Sequence, residues 1–194
     1  MTALVLASAS TSRARVLSEA GVAFAVQPAR VDEDAVKASG ADARTVAAGL
    51  AEMKALRVSA SRPGTLVLGA DQVLVCEGKI LSKAETFAEA AVQLKFLRGK
   101  SHTLISALAL ARDGAIVWRH IDEARLAMRD FSNVFLDSYL KAEGEALLGS
   151  VGCYRLEGPG AQLFESVEGD YFSILGLPLL PLLEILREQG VIPR

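Results

Sequence analysis

The chain has 194 residues, 51% of them hydrophobic and 23% charged, ordinary proportions for a globular protein able to bury a core, and it fits one domain over residues 1–194. A formal net charge of −2 gives no electrostatic reason to expect a nucleic-acid polymer as partner, so any bound phosphate must be held by a local cluster of cations. Cys76 and Cys153 are too few for a disulfide framework, and with no signal peptide and no membrane-length apolar run the expectation is a cytoplasmic protein without a membrane partner.

The segment "LVLA" predicts a short buried strand, and "RVLSEAG" closes a helix with Gly21 just past its end. Between them lie Ser8, Ser10, Thr11, Ser12, Arg13 and Arg15. Two readings fit this turn: an anion site made of spare backbone N–H groups and guanidinium forks, or an N-capped surface helix with solvated arginines. "AFAVQP" predicts a second strand, followed by "ARVDEDA" as a loop that carries Asp32, Glu33 and Asp34. Residues 45–61 read as a helix ending before Pro63, and "TLVLGADQVLVCEGKIL" as two strands with a tight turn near Gly78. Thr86 and Glu89 form a capping box for a helix ending near Gly99, and Asp113-Gly114 predicts the turn of a long β-hairpin. Residues 133–142 read as a helix, and a glycine-rich stretch leads to a last, core-facing helix over residues 179–189. Apolar runs alternating with helical patterns indicate an α/β fold.

Three ionisable residues sit where the pattern calls for apolar ones. Asp71 is the single carboxylate in "TLVLGADQVLVC", where burial is costly unless the charge is paired or binds a cation; a bulge at Gly69 turning it to solvent is the alternative. Lys54 shares a helix stripe with Ala47, Leu50, Ala51 and Val58, so it either snorkels out or points its ammonium into a cleft, and the pattern accommodates both. Lys83 follows a short strand in "ILSKAET", a place where lysines are commonly solvated. Carboxylates at strand ends together with several cations are what metal-assisted phosphoryl chemistry needs. Arg13 and Lys83, at junctions of loops with elements, are expected to be exposed, so their removal should cost little stability. His102 and His120 form no ligand pair, His102 belonging to a strand start, and Trp118 reads as core.

In order along the chain, "LASASTSRARVLSEAG", "VDE", "LAEMKA", "GADQVLV", "LSKAET", "GCYRLEG" and "VEGDYFSILGLPLLPLLEILREQG" resemble the motifs of the Maf family of nucleoside triphosphate pyrophosphatases. The resemblance implies a fold like that of Maf proteins and inosine triphosphatases, an elongated mixed sheet with helices on its faces and two lobes around a central cleft. It implies hydrolysis of a nucleotide to monophosphate and pyrophosphate with a divalent cation, Mg²⁺ or Mn²⁺, in a homodimer. Residue by residue, it places Ser8, Ser10 and Arg13 around the triphosphate and makes Glu33, Lys54, Asp71 and Lys83 catalytic. Asp71 becomes the proton acceptor, and Glu33 and Asp71 the metal ligands.

The chain departs from the common pattern. Ser10, Thr11, Ser12 and Arg13 stand where members commonly read Ser-Pro-Arg-Arg, and Ser82, Lys83 and Ala84 where they read Gly-Lys-Pro. The prolines' backbone restraint goes and the charges stay. Ser12, Gln72 and Glu157 occupy the positions tied to base selectivity, and Gln72, the absence of lysine from "GSVGCY" and the pair Glu157-Gly158 resemble the branch acting on 7-methyl-GTP. A carboxylate at 157 can accept from the N1–H and exocyclic amine of guanine and offset the charge of the methylated ring. The alternatives are a pyrophosphatase for dTTP and UTP, or of broad range, and a non-catalytic nucleotide-binding regulator of cell division.

Overall fold

In a computed structural model, residues 2–194 are described. Strand β1 (Leu4–Leu6) is buried along its whole length and runs parallel to β2 (Ala25–Val26) and β3 (Leu66–Cys76). Strands covered on both faces read as continuous apolar runs, which is why neither "LVL" nor "LVLGADQVLVC" alternates. The seven-stranded mixed sheet has the order β2-β1-β3-β5-β6-β7, where β5 is Ser101–Arg112, β6 is Ala115–Met128 and β7 is Phe164–Glu168. Strand β4 (Lys79–Leu81) pairs antiparallel with β3 off that path. Both predicted tight turns are two-residue hairpin turns with positive φ at each central residue, 50° and 74° at Glu77-Gly78 and 50° and 77° at Asp113-Gly114. That backbone matches the strands' right-handed twist, and glycine adopts it without steric cost.

The helices are α1 (Thr11–Glu19), α2 (Glu33–Lys37), α3 (Ala43–Ser59), α4 (Phe87–Leu97), α5 (Asn133–Glu143), α6 (Tyr171–Ile174) and α7 (Leu179–Glu188). Ser10, Asp42, Thr86 and Ser132 cap α1, α3, α4 and α5 with side-chain oxygens that accept backbone N–H bonds. At α4 the box is displaced by one residue: Thr86 Oγ1 accepts from Glu89 N–H, and the Glu89 carboxylate accepts from Glu85 N–H.

One expectation is corrected, and one alternative falls. "ARVDEDA" is not wholly a loop, because Asp32 accepts from Ala35 N–H and thereby starts α2 at Glu33. Gly69 lies within β3, and a Cβ there would run into the Ala51 carbonyl oxygen and the Ala55 N–H, so this glycine serves close packing of β3 on α3. The glycine-rich stretch also holds more structure than its composition suggests: a 3₁₀ turn at Pro159–Leu163, then β7 and α6.

The chain divides into two compact units that interleave in sequence. Unit 1 comprises the residues up to Gln72, Ile105–Asp122 and Tyr171–Arg194; its core gathers Leu6, Leu17, Leu68, Leu110, Leu177 and Leu182. Unit 2 comprises Val73–Leu104 and Glu123–Asp170 and buries Leu74, Leu94, Leu104, Leu126 and Leu136. No helix among the described residues is long and apolar enough to cross a membrane.

Candidate active site

In unit 1, helix α3 buries Ala47, Leu50, Ala51 and Val58, and Lys54 is buried with them, 6% exposed. Its ammonium does not snorkel. Lys54 Nζ donates to Asp71 Oδ1 and pairs with Glu33 Oε1, each at 2.7 Å. Asp71 is 4% exposed in the middle of β3, and its Oδ2 is buried without a hydrogen-bond partner in the protein. Close packing at Gly69 brings the two elements near enough for the contact. Glu33 reaches Lys54 from the first turn of α2 and lies 3.5 Å from Lys37. Burial pushes the Glu33 carboxyl up, but the hydrogen bond and charge of Lys54, with Lys37, outweigh it and hold the carboxyl below its usual range.

Arg13 is half-buried, contrary to the expected exposed cation, because the start of α1 faces backbone oxygens. Its Nε donates to the Gly176 carbonyl (2.9 Å) and its Nη1 to Ser8 Oγ (3.1 Å) and the Ala70 carbonyl (3.0 Å). Nη2 takes part in none of these three bonds. Burial draws the guanidinium's proton affinity down, against the charges of Asp71 and Glu33, which raise it. Ser8 Oγ also accepts from Ser10 N–H, and Ser10 Oγ caps α1 by accepting from Arg13 N–H. Of the two readings of the opening turn, the N-cap is present at Ser10, and Arg13 is bonded to Ser8 and to backbone carbonyls rather than solvated.

The structure thus gathers Ser8, Ser10, Arg13, Glu33, Lys54 and Asp71 in unit 1. Ser12 and Gln72 belong to the same unit, but their side-chain donors are spent internally. Ser12 Oγ donates to the Leu175 carbonyl, and Gln72 Nε2 lies 3.0 Å from Ser106 Oγ and from the carbonyls of Ser173 and Ile174. Sequence reasoning missed Ser106, Ser173 and Gly176; Ser173 and Gly176 lie within "SILGLP" in the last motif, and nothing in the pattern marked Ser106. Lys83 and Glu157 belong to unit 2, Lys83 exposed in the loop between β4 and α4, and Glu157 half-buried between Arg155 and Gly158.

The loop that carries Glu157 is pinned. Arg155 makes a bidentate pair with buried Glu143, at 2.8 and 3.2 Å, and a Cβ at Gly160 would meet the Arg155 backbone. Tyr139 Oη donates to the Cys153 carbonyl, and Tyr154 Oη lies 2.7 Å from His102 Nε2. Burial drops the His102 pKa from 6.5 to about 4, so the folded chain holds the ring neutral where the unfolded chain protonates it. Between these values the unfolded state binds more protons, and stability falls as pH falls through that window, by about 3 kcal/mol at full effect. His102→Gln keeps a hydrogen-bonding group near Tyr154 and cannot titrate. Its unfolding free energy from urea titrations should drop between pH 7 and pH 4.5 by about 2–3 kcal/mol less than that of the wild type. An identical drop would show that His102 titrates normally.

Two carboxylates with hard oxygen donors, one bearing an unpartnered buried oxygen, suit Mg²⁺ or Mn²⁺. No group of three or more His, Cys, Asp or Glu side chains that could hold a metal ion gathers among the described residues. Such an ion would complete its shell from water and substrate phosphates, the usual habit of Mg²⁺.

Comparison with known proteins places this geometry in context. The family described as "Maf-like protein" matches residues 3–189. A nucleoside triphosphate pyrophosphatase of Paramagnetospirillum magneticum is 55% identical over 96% of this chain and 98% of its own length. One of Granulibacter bethesdensis is 52% identical over 96% of both chains. A 7-methyl-GTP pyrophosphatase of Rhizobium etli is 48% identical over 97% of both.

Proposed function

We propose, of a chain that belongs to the Maf family and is a nucleoside triphosphate pyrophosphatase, that its preferred substrate is 7-methyl-GTP, released as the monophosphate and pyrophosphate. The observation that carries the reaction class is Lys54 joining Glu33 and Asp71 at 2.7 Å beside a buried carboxylate oxygen without a protein partner. Asp71 takes the proton of the attacking water at Oδ2 as the bond between the α- and β-phosphates breaks. Lys54 holds both carboxylates in place. Arg13, through Nη2, binds the triphosphate with the hydroxyls of Ser8 and Ser10 and the N-terminal amides of α1. Lys83 neutralises the departing pyrophosphate. A divalent cation held by Glu33 and Asp71 would supply Lewis-acid neutralisation of the phosphate oxygens. A homodimer belongs to the same reading.

Support for the methylated base comes from Glu157, from relatives named 7-methyl-GTP pyrophosphatase, and from the pinned loop, which limits how far that carboxylate moves. An amide at 157 keeps one acceptor, turns the other into a donor and removes the charge. A lost charged hydrogen bond is worth roughly 1.5–3 kcal/mol, so Glu157→Gln should shift the kcat/KM ratio of 7-methyl-GTP over UTP or dTTP down by about tenfold to a hundredfold. If kcat/KM for all three nucleotides changes by one factor, or not at all, Glu157 does not read the base.

A further inference from the structure

Four consecutive carbonyls at the end of α6 accept hydrogen bonds from side chains of other elements. Ser173 O accepts from Ser106 Oγ (2.7 Å), and Gln72 Nε2 lies 3.0 Å from both Ser173 O and Ile174 O, which share one of its two protons. Leu175 O accepts from Ser12 Oγ (3.3 Å) and Gly176 O from Arg13 Nε (2.9 Å). Ser173 Oγ in turn donates to Asp122 Oδ2 at 2.6 Å. Within the turn itself Ser173 O also accepts from Gly176 N–H (3.0 Å), and the side chains of the other elements add to that backbone bond. At Gly176 φ is +85°, and a Cβ would press on Arg13 Nε at 3.4 Å, so backbone and guanidinium meet at this point without a side chain between them.

The amide orientation of Gln72 follows from its neighbours. Ser106 gives its one proton to Ser173 O, so its oxygen accepts from Gln72; a flipped amide would set Oε1 against two carbonyls. Ser106 is 1% exposed, in a strand core where a hydroxyl is tolerated only when bonded. A planar guanidinium held at Nε by Gly176 and at Nη1 by Ser8 and Ala70 has its plane fixed, with Nη2 left over.

From this we infer that Gln72 and Ser106 are positioning residues of the reaction: they hold the strap of residues 173–176, and the strap orients Arg13. The inference rests on the reading that Arg13 binds the triphosphate. It gives Gln72 a task beside the base selectivity tied to its position, and gives Ser106 one that involves no base.

A double-mutant cycle tests it. Ser106→Ala should lower kcat/KM for 7-methyl-GTP, UTP and dTTP by one common factor of about five to ten, mostly in KM, and Gln72→Ala should lower it for all three by at least about that factor, in protein shown by circular dichroism to be folded. In an Arg13→Ala background the same changes should cost less than about twofold, because the residue they position is gone. A changed ratio among the three nucleotides in Ser106→Ala, a full effect of either change in the Arg13→Ala background, or a lowered Tm with kcat/KM of the folded protein unchanged would overturn the strap's role. Should Gln72→Ala not fold, Ser106→Ala, which deletes one hydroxyl, carries the same test. Arg13→Ala with unchanged kcat/KM would remove the phosphate-binding reading, and the inference with it. Arg13→Ala that is impaired while the cycle is additive would remove the inference alone.

Discussion

Asp71→Asn should lower kcat by at least about a hundredfold, the smallest loss expected when a general base is deleted, with Mg²⁺ or Mn²⁺ saturating. The amide is nearly isosteric, and its oxygen can still accept from Lys54 Nζ, which also keeps Glu33. What disappears is the charge and the lone pairs at the position of Oδ2, the oxygen without a protein partner. Stability should fall by about 1–3 kcal/mol, since a charged hydrogen bond becomes a neutral one in a buried place. The two effects separate experimentally: turnover is normalised to the folded fraction from circular dichroism, and urea unfolding gives the stability loss. Turnover within tenfold of the wild type would take Asp71 out of the proton transfer.

Asp71 stood out in the sequence for a physical reason. A lone carboxylate in an uninterrupted apolar strand is too costly to bury without a partner, so pattern alone marked it. Lys54 was ambiguous because a lysine in an apolar helix stripe can snorkel, and nothing local decides between the outcomes. The decision is tertiary: Asp71 lies 17 positions away and arrives only because β3 packs tightly on α3. Glu33 was placed by the order of motifs, but as a loop residue. The helix it starts is five residues long, too short for periodicity to reveal, and rests on a single cap at Asp32.

Arg13 shows the same limit from the other side. Its charge and position at a strand-to-helix turn suggested phosphate, and its guanidinium is held there by three hydrogen bonds. Two of its three acceptors are backbone carbonyls 57 and 163 positions away, however, and a carbonyl carries no signature in the sequence. The expectation of an exposed cation failed for that reason. The site is therefore best regarded as two layers. Chemistry-bearing side chains are legible by type and spacing, whereas the backbone oxygens that aim them become visible only in the folded chain.

Gly69→Ala tests how the layers are joined, and it should be the most destabilising small substitution in unit 1. The added methyl would collide with the Ala51 carbonyl oxygen and sit 2.7 Å from the Ala55 nitrogen, both backbone atoms in the middle of α3. No rotamer change can relieve that, so α3 and β3 must move apart. Overpacking a tight core costs about 1–3 kcal/mol, and a clash borne by main chain belongs at the upper end or beyond. Gly69 sits two residues before Asp71, and Ala51 and Ala55 flank Lys54, so the displacement falls on the 2.7 Å contact between them. The folded fraction of Gly69→Ala should accordingly lose kcat by about tenfold or more, since misplacement of about 1 Å in a catalytic group is costly. Urea unfolding and kcat measured on the same preparation decide the matter. A midpoint within experimental error of the wild type would mean that β3 and α3 have slack at this crossing. A large stability loss with normal kcat per folded molecule would mean instead that the Lys54–Asp71 contact is held by Glu33 and the surrounding core rather than by the close approach at Gly69.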